Sequence, residues 1–309
     1  MSKKHLTMII NLCILGKERG DKREMSTQLR EALAEIGYTY LSHSQLEKEP
    51  ALRTFEYLYL GDKRKDMPVG VPAIAGTAAH DGIQGVACDG LEVEFAKEEA
   101  RKYISKHEPI SDLDELKKAQ YVDDVEKLID NGVEELAKLG DIAYTSEERI
   151  GLYHKALKKS GLEIMGFVDL TADDRIVELK TKWNPLGPPR KDGSRAFRKV
   201  KMPTRPDAAH IRQVSIYWAA TGKMPYLIYI TTEGAVTFSH ENCDLLTVES
   251  LSRHFNQILH NAVVWENLLS ISTDPKVLAM FIQPNWEDFR WRLFMPKDYL
   301  KQAEELFKI

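Results

Sequence analysis

The sequence predicts an α/β domain with a mixed central sheet and a helical insertion. Three observations carry this reading: apolar strand-like segments cluster between residues 164 and 239, one well-marked helix lies among them, and a long charged stretch of helical periodicity precedes them. No linker divides the 309 residues, so a single domain spanning 1–309 is expected. The composition, 43% hydrophobic beside 29% charged, is that of a globular chain and excludes collagen, coiled-coil and linker classes.

Taken in order, residues 6–15 follow Lys3 and Lys4 like a signal peptide, but Asn11 interrupts them and no small-residue cleavage site follows, so they read as a buried strand. A short helix is expected over 26–36 with Gly37 as its stop, and a second helix over 40–60. Helices follow over 91–103 and 113–139, where Leu113, Leu116, Val125, Leu128 and Ile129 recur at spacings near three and four. Together they make a helical insertion of about 91–150. Its fourteen acids between Glu92 and Glu135, against seven Lys or Arg, read as a solvated helical face.

A core of about 162–240 is then expected, with strands over 164–170, 175–181, 226–232 and 235–239, the last two joined by a Glu233-Gly234 turn. The helix among them starts near Arg205, with Thr204 and Asp207 as an approximate capping box, and stops at Gly222 before Pro225. C-terminal helices fill 248–309, one over 248–269 and one over 297–307.

Charge is unevenly spread. A loop over 182–205, rich in Pro and Gly at its start, holds eight Lys or Arg against Asp192 alone, so the chain's net −4 conceals a local +7. No stretch approaches the roughly 18 apolar residues of a membrane helix, and no membrane partner is expected. Cys13, Cys88 and Cys243 are too scattered for a disulfide framework or a CxxC-type metal site, which suits a reducing cytoplasmic compartment.

The chemistry lies in residues 161–181. A hairpin centred on Asp173 and Asp174 would place Asp169 directly opposite Glu178, and like charges so placed repel unless a divalent cation reverses the sign. Lys180 projects from the same strand face as Glu178. Oxygen ligands suit Mg²⁺ or Mn²⁺, which polarise a phosphoryl oxygen and acidify a bound water, with Lys180 placed to orient that water or help deprotonate it. The plainer reading is a solvent-facing ladder of ion pairs.

Four signatures in order resemble the PD-(D/E)XK nuclease superfamily, in its RecB-like exonuclease branch, which includes CRISPR-associated, phage-encoded and mitochondrial genome maintenance exonucleases. They are Leu41-Ser42-His43-Ser44-Gln45-Leu46 with the aromatic end Tyr57 to Leu60; Gly76-Thr77-Ala78-Ala79-His80; Gly166-Phe167-Val168-Asp169 with Glu178-Leu179-Lys180-Thr181; and Gln213 with Tyr217 four residues on. The resemblance implies a restriction-endonuclease-like core. It implies metal ligation by His80, Asp169 and Glu178, with the Leu179 carbonyl as a further ligand, and a catalytic role for Lys180. Gln213 and Tyr217 would shape the catalytic site or contact the DNA backbone; their plainer reading is a half-buried helix face.

The implied activity is a metal-dependent deoxyribonuclease, an exonuclease acting on DNA ends in recombination, repair or replication with one or two Mg²⁺ or Mn²⁺ ions. Ser42 and Ser44 belong with the DNA-binding set. In the basic loop, Lys182, Arg190, Lys191, Arg195, Arg198, Lys199, Lys201 and Arg205 would meet phosphates while Trp183 and Phe197 stack on unpaired bases of a single-stranded end. The cysteine pattern of the iron-sulfur members is missing, so no such cluster is expected. The absence of a GxxxxGK[ST] loop predicts a nuclease without its own helicase engine. Competing readings are a structure- or sequence-specific endonuclease of the same superfamily, a non-catalytic DNA-binding module, or an interaction protein using its acidic helices with an unidentified recombination or replication partner.

Overall fold

The computed structural model describes residues 27–308. The strand expected over 6–15, with Cys13, lies outside the described residues. Helix α1 (Thr27–Glu35) stops where Gly37 adopts a left-handed φ of 73°. Residues 40–60, expected to be helical throughout, open instead with strand β1 (Tyr40–Ser42) and continue as α2 (His43–Leu46), α3 (Pro50–Arg53) and a π-helical turn over Thr54–Tyr59. Two local features divide the run. Ser42 caps α2 reciprocally with Gln45, and Pro50 takes the start of α3, where a missing N–H costs nothing.

The insertion holds α5 (Val93–Lys106) and α6 (Asp112–Ala137), which pack on α4 (Val71–Asp89), a helix that the sequence reading did not place. Its expected end near 150 is wrong, because Thr145–Leu152 forms strand β2. The first five residues of β2 are exposed, so its sequence lacks the apolar alternation that marks a strand. Val125, Leu128 and Ile129 are buried as expected, whereas Leu113 and Leu116 are exposed. Nor are all the acids solvated. Asp114 accepts the Val71 N–H with both carboxylate oxygens (3.2 and 3.1 Å) and so caps α4, and Glu135 accepts the Thr237 hydroxyl at 2.7 Å.

Strands β3 (Glu163–Thr171), β4 (Arg175–Thr181), β5 (Met224–Thr231) and β6 (Gly234–Phe238) complete a six-stranded mixed sheet flanked by helices, close to the expected positions. Its order is β1-β3-β4-β5-β6, with β2 on the other edge of β3. β1 runs parallel to β3 and β4 parallel to β5, while β2, β4 and β6 lie antiparallel to their neighbours β3, β3 and β5. The sheet separates two cores. Leu179, Ile228 and Ile230 pack with α4 to α6, and Ile176, Leu227 and Tyr229 with α7 (Ala208–Thr221) and α8 (Val248–Leu269).

Gly222 ends α7 at φ 77° as expected, but the capping box does not form: the Asp207 carboxylate accepts Lys182 Nζ at 2.9 Å instead. Helices α9 (Pro275–Ala279) and α10 (Lys297–Leu306) close the chain. Among the described residues, no helix is long and apolar enough to cross a membrane.

Trp265 of α8 anchors the second core. It is fully buried, donates its indole N–H to the Tyr38 hydroxyl at 2.8 Å and carries the Arg53 guanidinium over its ring at 4.9 Å. Trp265→Ala is expected to cost about 3–5 kcal/mol, read as a shift of the urea midpoint at unchanged slope. A shift within error would show that this cluster does not hold the layer in place.

Candidate active site

Asp169 sits just past the end of the β3–β4 ladder. The β3–β4 ladder pairs Thr171 with Ile176 and Leu170 with Val177, then ends one step short of Asp169. On the other edge β2 pairs Ser146 with Leu170 and Glu148 with Val168, and skips Glu147, whose φ is 49°. A positive φ at a non-glycine residue marks a local break in the strand. β4 therefore parts from β3 at Asp169, while β2, in the same register on either side, misses one pair there.

Polar side chains replace the lost ladder bonds. Asp169 Oδ2 accepts the Leu179 N–H at 2.7 Å, and Gln84 donates its amide to the Asp169 carbonyl at 3.0 Å. The expected hairpin register is thus present, but Asp169 and Glu178 do not form a cross-strand pair. Asp169 reaches across to the β4 backbone, so its carboxylate bridges the gap.

The two faces of the sheet supply the remaining groups. From α4, His80 Nδ1 stands 3.5 Å from Asp169 Oδ1. Gly76, His80 and Gln84 recur every four residues and share one helix face. At Gly76 an added Cβ would lie 3.6 Å from Thr181 Oγ1, so the helix runs close over β4.

From the other face, α7 presents Gln213 and Tyr217. Gln213 donates to Glu178 Oε1 (2.7 Å) and to the Tyr217 hydroxyl (2.9 Å), and accepts from Lys180 Nζ (2.9 Å). Lys180 also donates to Glu178 Oε1 at 2.6 Å. The Tyr217 hydroxyl donates to the Phe167 carbonyl at 2.7 Å. Tyr217 is buried, so it shapes the site from inside and does not reach a bound strand. A Cβ on Gly166 would approach Tyr217 Cε1 to 2.6 Å, which explains the glycine in the signature around Asp169. Gly166→Ala should therefore displace Tyr217 and lower stability by about 1–3 kcal/mol, a loss that heat denaturation would register.

Electrostatics set the two carboxyls apart. Burial and then the nearby Asp169 charge raise the Glu178 carboxyl, against the pull of Lys180. Burial also opposes ionisation of Asp169, but His80, Lys180 and the Leu179 amide outweigh it and hold this carboxyl below the usual range. One atom has nothing to bond: Glu178 Oε2 is buried without a hydrogen-bond partner. An orphaned, buried carboxylate oxygen suits a hard divalent cation, which would supply the missing contact. Among the described residues, however, no three His, Cys, Asp or Glu side chains are drawn together as a ready ligand cluster. His80 and Asp169 face each other, while Glu178 is turned toward Lys180 and Gln213.

No family model matches the sequence, and no curated protein is significantly similar to it. Two solved structures align with most of the chain at low identity. One is described as "Putative exonuclease" from Eubacterium rectale, 11% identical, covering 81% of this chain and 87% of its own, with a TM-score of 0.42. Another is SSO0001, 12% identical over 83% of this chain and 86% of its own, with a TM-score of 0.31.

The remaining sequence-derived candidates are scattered around this centre. Ser42 and Ser44 are bonded to each other at 3.0 Å, and Ser42 is occupied as the cap of α2. The basic loop is an ordered hairpin, closed by Gly187 N–H to Ala196 O (2.8 Å) and Arg198 N–H to Pro185 O (2.9 Å). Its two aromatics, expected to stack on unpaired bases, are half-buried. Trp183 stacks on Tyr121 of α6 with ring centroids 4.4 Å apart, and Phe197 lies 6.4 Å from the same ring, so both root the hairpin in the fold. Arg190, Lys191, Arg195, Arg198, Lys199, Lys201 and Arg205 are exposed.

Sequence reasoning missed Gln84, although its spacing of four from His80 was there to read, and it missed the group formed by Asp207, His210 and Tyr229, for which no local pattern exists.

Proposed function

We propose that the chain is a metal-dependent DNA phosphodiesterase, a nuclease of exonuclease type working on ends in recombination, repair or replication. The observation that carries the reading is the end of the β3–β4 ladder at Asp169. There Asp169 faces His80 from one helical layer, Glu178 bonds Lys180 and Gln213 toward the other, and one Glu178 oxygen has no partner.

His80, Asp169 and Glu178, with the Leu179 carbonyl, are the groups that would hold Mg²⁺ or Mn²⁺. Such an ion supplies Lewis-acid activation of the phosphoryl group and of a water. Lys180, held by Glu178 and Gln213, places an ammonium beside the reacting phosphate, where it offsets developing negative charge. Gln213 in turn keeps both Glu178 and Lys180 in register, and Tyr217 fixes Gln213 from behind. The exposed cations of the hairpin suit a polyanionic strand of any sequence.

End-labelled linear single- and double-stranded DNA, with circular controls, incubated with Mg²⁺, Mn²⁺ or EDTA, tests the reading directly. Metal-dependent loss of linear but not circular DNA is the expected outcome. Cleavage of circles would make the chain an endonuclease, and no cleavage under any metal would reduce the site to an ion-pair ladder.

His80→Ala is expected to weaken metal affinity without unfolding the chain, because the ring is partly exposed at the mouth of the site. An imidazole ligand favours Mn²⁺ over Mg²⁺ more than an oxygen shell does, so excess Mn²⁺ should restore part of the activity. A variant that melts early and gains nothing from Mn²⁺ would assign His80 to packing.

A further inference from the structure

Beyond Lys180 the same arrangement continues for one more step. Glu178, Lys180 and Lys182 project from one side of β4 and its extension, and they face Tyr217, Gln213, His210 and Asp207 along α7. Glu178 and Lys180 bond Gln213, and Lys182 bonds Asp207. The strand and the helix thus form a track running outward from the candidate metal site toward Lys182.

His210 occupies this outer end in a defined state. The Tyr229 hydroxyl is fully buried; it accepts the Asp207 N–H at 2.9 Å and lies 2.8 Å from His210 Nδ1. A buried hydroxyl donates its proton to an acceptor within reach, and Nδ1 is the acceptor that its hydrogen bonds provide among the described residues. With Nδ1 as that acceptor, Nε2–H is the ring's donor; Asp207 Oδ2 stands farther from Nδ1, at 3.6 Å. Burial, reinforced by the charges of Lys180 and Lys182 and by His43, and opposed by Asp207, lowers the imidazole to about 3, so the ring is neutral near pH 7. The Lys182 ammonium lies over the Tyr229 ring at 5.5 Å, so one tyrosine positions both groups.

We propose that Lys182 and His210 form a second phosphate subsite, which holds the phosphate next to the scissile one along the same strand. Two residues of extended chain separate Lys180 from Lys182 by roughly 6.6 Å, a step comparable to that between neighbouring phosphates of an extended nucleic-acid strand. Lys182 supplies charge and His210 a neutral donor, a pairing that avoids a third cation packed against Lys180 and Lys182. Asp207 holds Lys182 in position and gives way when the phosphate arrives. The proposal rests on the nuclease reading of the adjoining site, which sets where the scissile phosphate lies.

The test uses the full chain in EDTA, so that nothing is cut, and single-stranded oligonucleotides each carrying one uncharged methylphosphonate at a successive position. Affinity is measured by fluorescence anisotropy. In the unaltered protein one position should cost about tenfold, the scale of one charge-assisted hydrogen bond. In Lys182→Ala and in His210→Ala the penalty at that position should fall below about twofold while penalties elsewhere persist. His210→Gln, which keeps a neutral donor, should retain most of it.

An unchanged profile in both alanine variants, or no position-specific penalty in the unaltered protein, overturns the subsite. Failure of the nuclease reading is distinguishable, since it would show as position-specific binding without cleavage when Mg²⁺ or Mn²⁺ is restored.

Discussion

Glu178→Gln is expected to lower the rate of DNA cleavage at least about a thousandfold. The metal's stabilisation of transition-state charge is worth several kcal/mol, and each tenfold in rate takes about 1.4 kcal/mol. The substitution removes one carboxylate while keeping the side chain's size. It should not harm the fold, because the Glu178 carboxyl is raised by burial and by Asp169, so its charge is an electrostatic burden in the metal-free protein. DNA affinity should stay within about twofold, since the exposed cations of the hairpin are untouched. Asp169→Asn should behave alike in cleavage. Lys180→Ala should also lose chemistry, but metal binding measured by calorimetry should survive. Wild-type turnover of Glu178→Gln in Mg²⁺ would falsify the proposed site.

The second large effect concerns the hairpin. Neutralising Arg190, Lys191, Arg198 and Lys199 together should weaken binding to all sequences alike. Each lost contact to single-stranded DNA flattens the dependence of log affinity on log salt by about 0.7, so four give a change of roughly 3. The geometry favours this result, because these side chains are exposed while Trp183 and Phe197 root the hairpin on Tyr121. Lys199 pairs with Glu233 at 2.7 Å, but an exposed ion pair is weak and yields easily to a phosphate. Cleavage at saturating DNA should fall far less than affinity. A quadruple variant with the salt slope of the unaltered protein would mean that DNA enters by another route.

Much of the sheet was legible because apolar alternation is a local signal. β4 begins and ends where expected, β3, β5 and β6 fall within about two residues of their expected bounds, and α8 covers the expected 248–269. β1 and β2 were not legible. β1 has three residues, and the exposed first half of β2 carries the polar Thr145-Ser146-Glu147-Glu148-Arg149, so neither shows the pattern of a half-buried strand. What holds them is pairing with β3, a partner more than a hundred residues from β1.

The site divides in the same way. Sequence alone determined which residue types stand together along each segment: Asp169 on one strand, Glu178 with Lys180 on the next, Gln213 four residues before Tyr217, and His80 four after Gly76. It could not determine that β4 parts from β3 at Asp169, that Glu178 turns to Gln213 and away from a cross-strand partner, or that Trp183 stacks on Tyr121. Nor could it set the tautomer of His210, which depends on a tyrosine of β5. The physical reason is range. Periodicity and capping record interactions among residues a few positions apart, whereas the end of a strand ladder, the partner of a buried oxygen and the proton on an imidazole are settled by groups brought together across two helical layers.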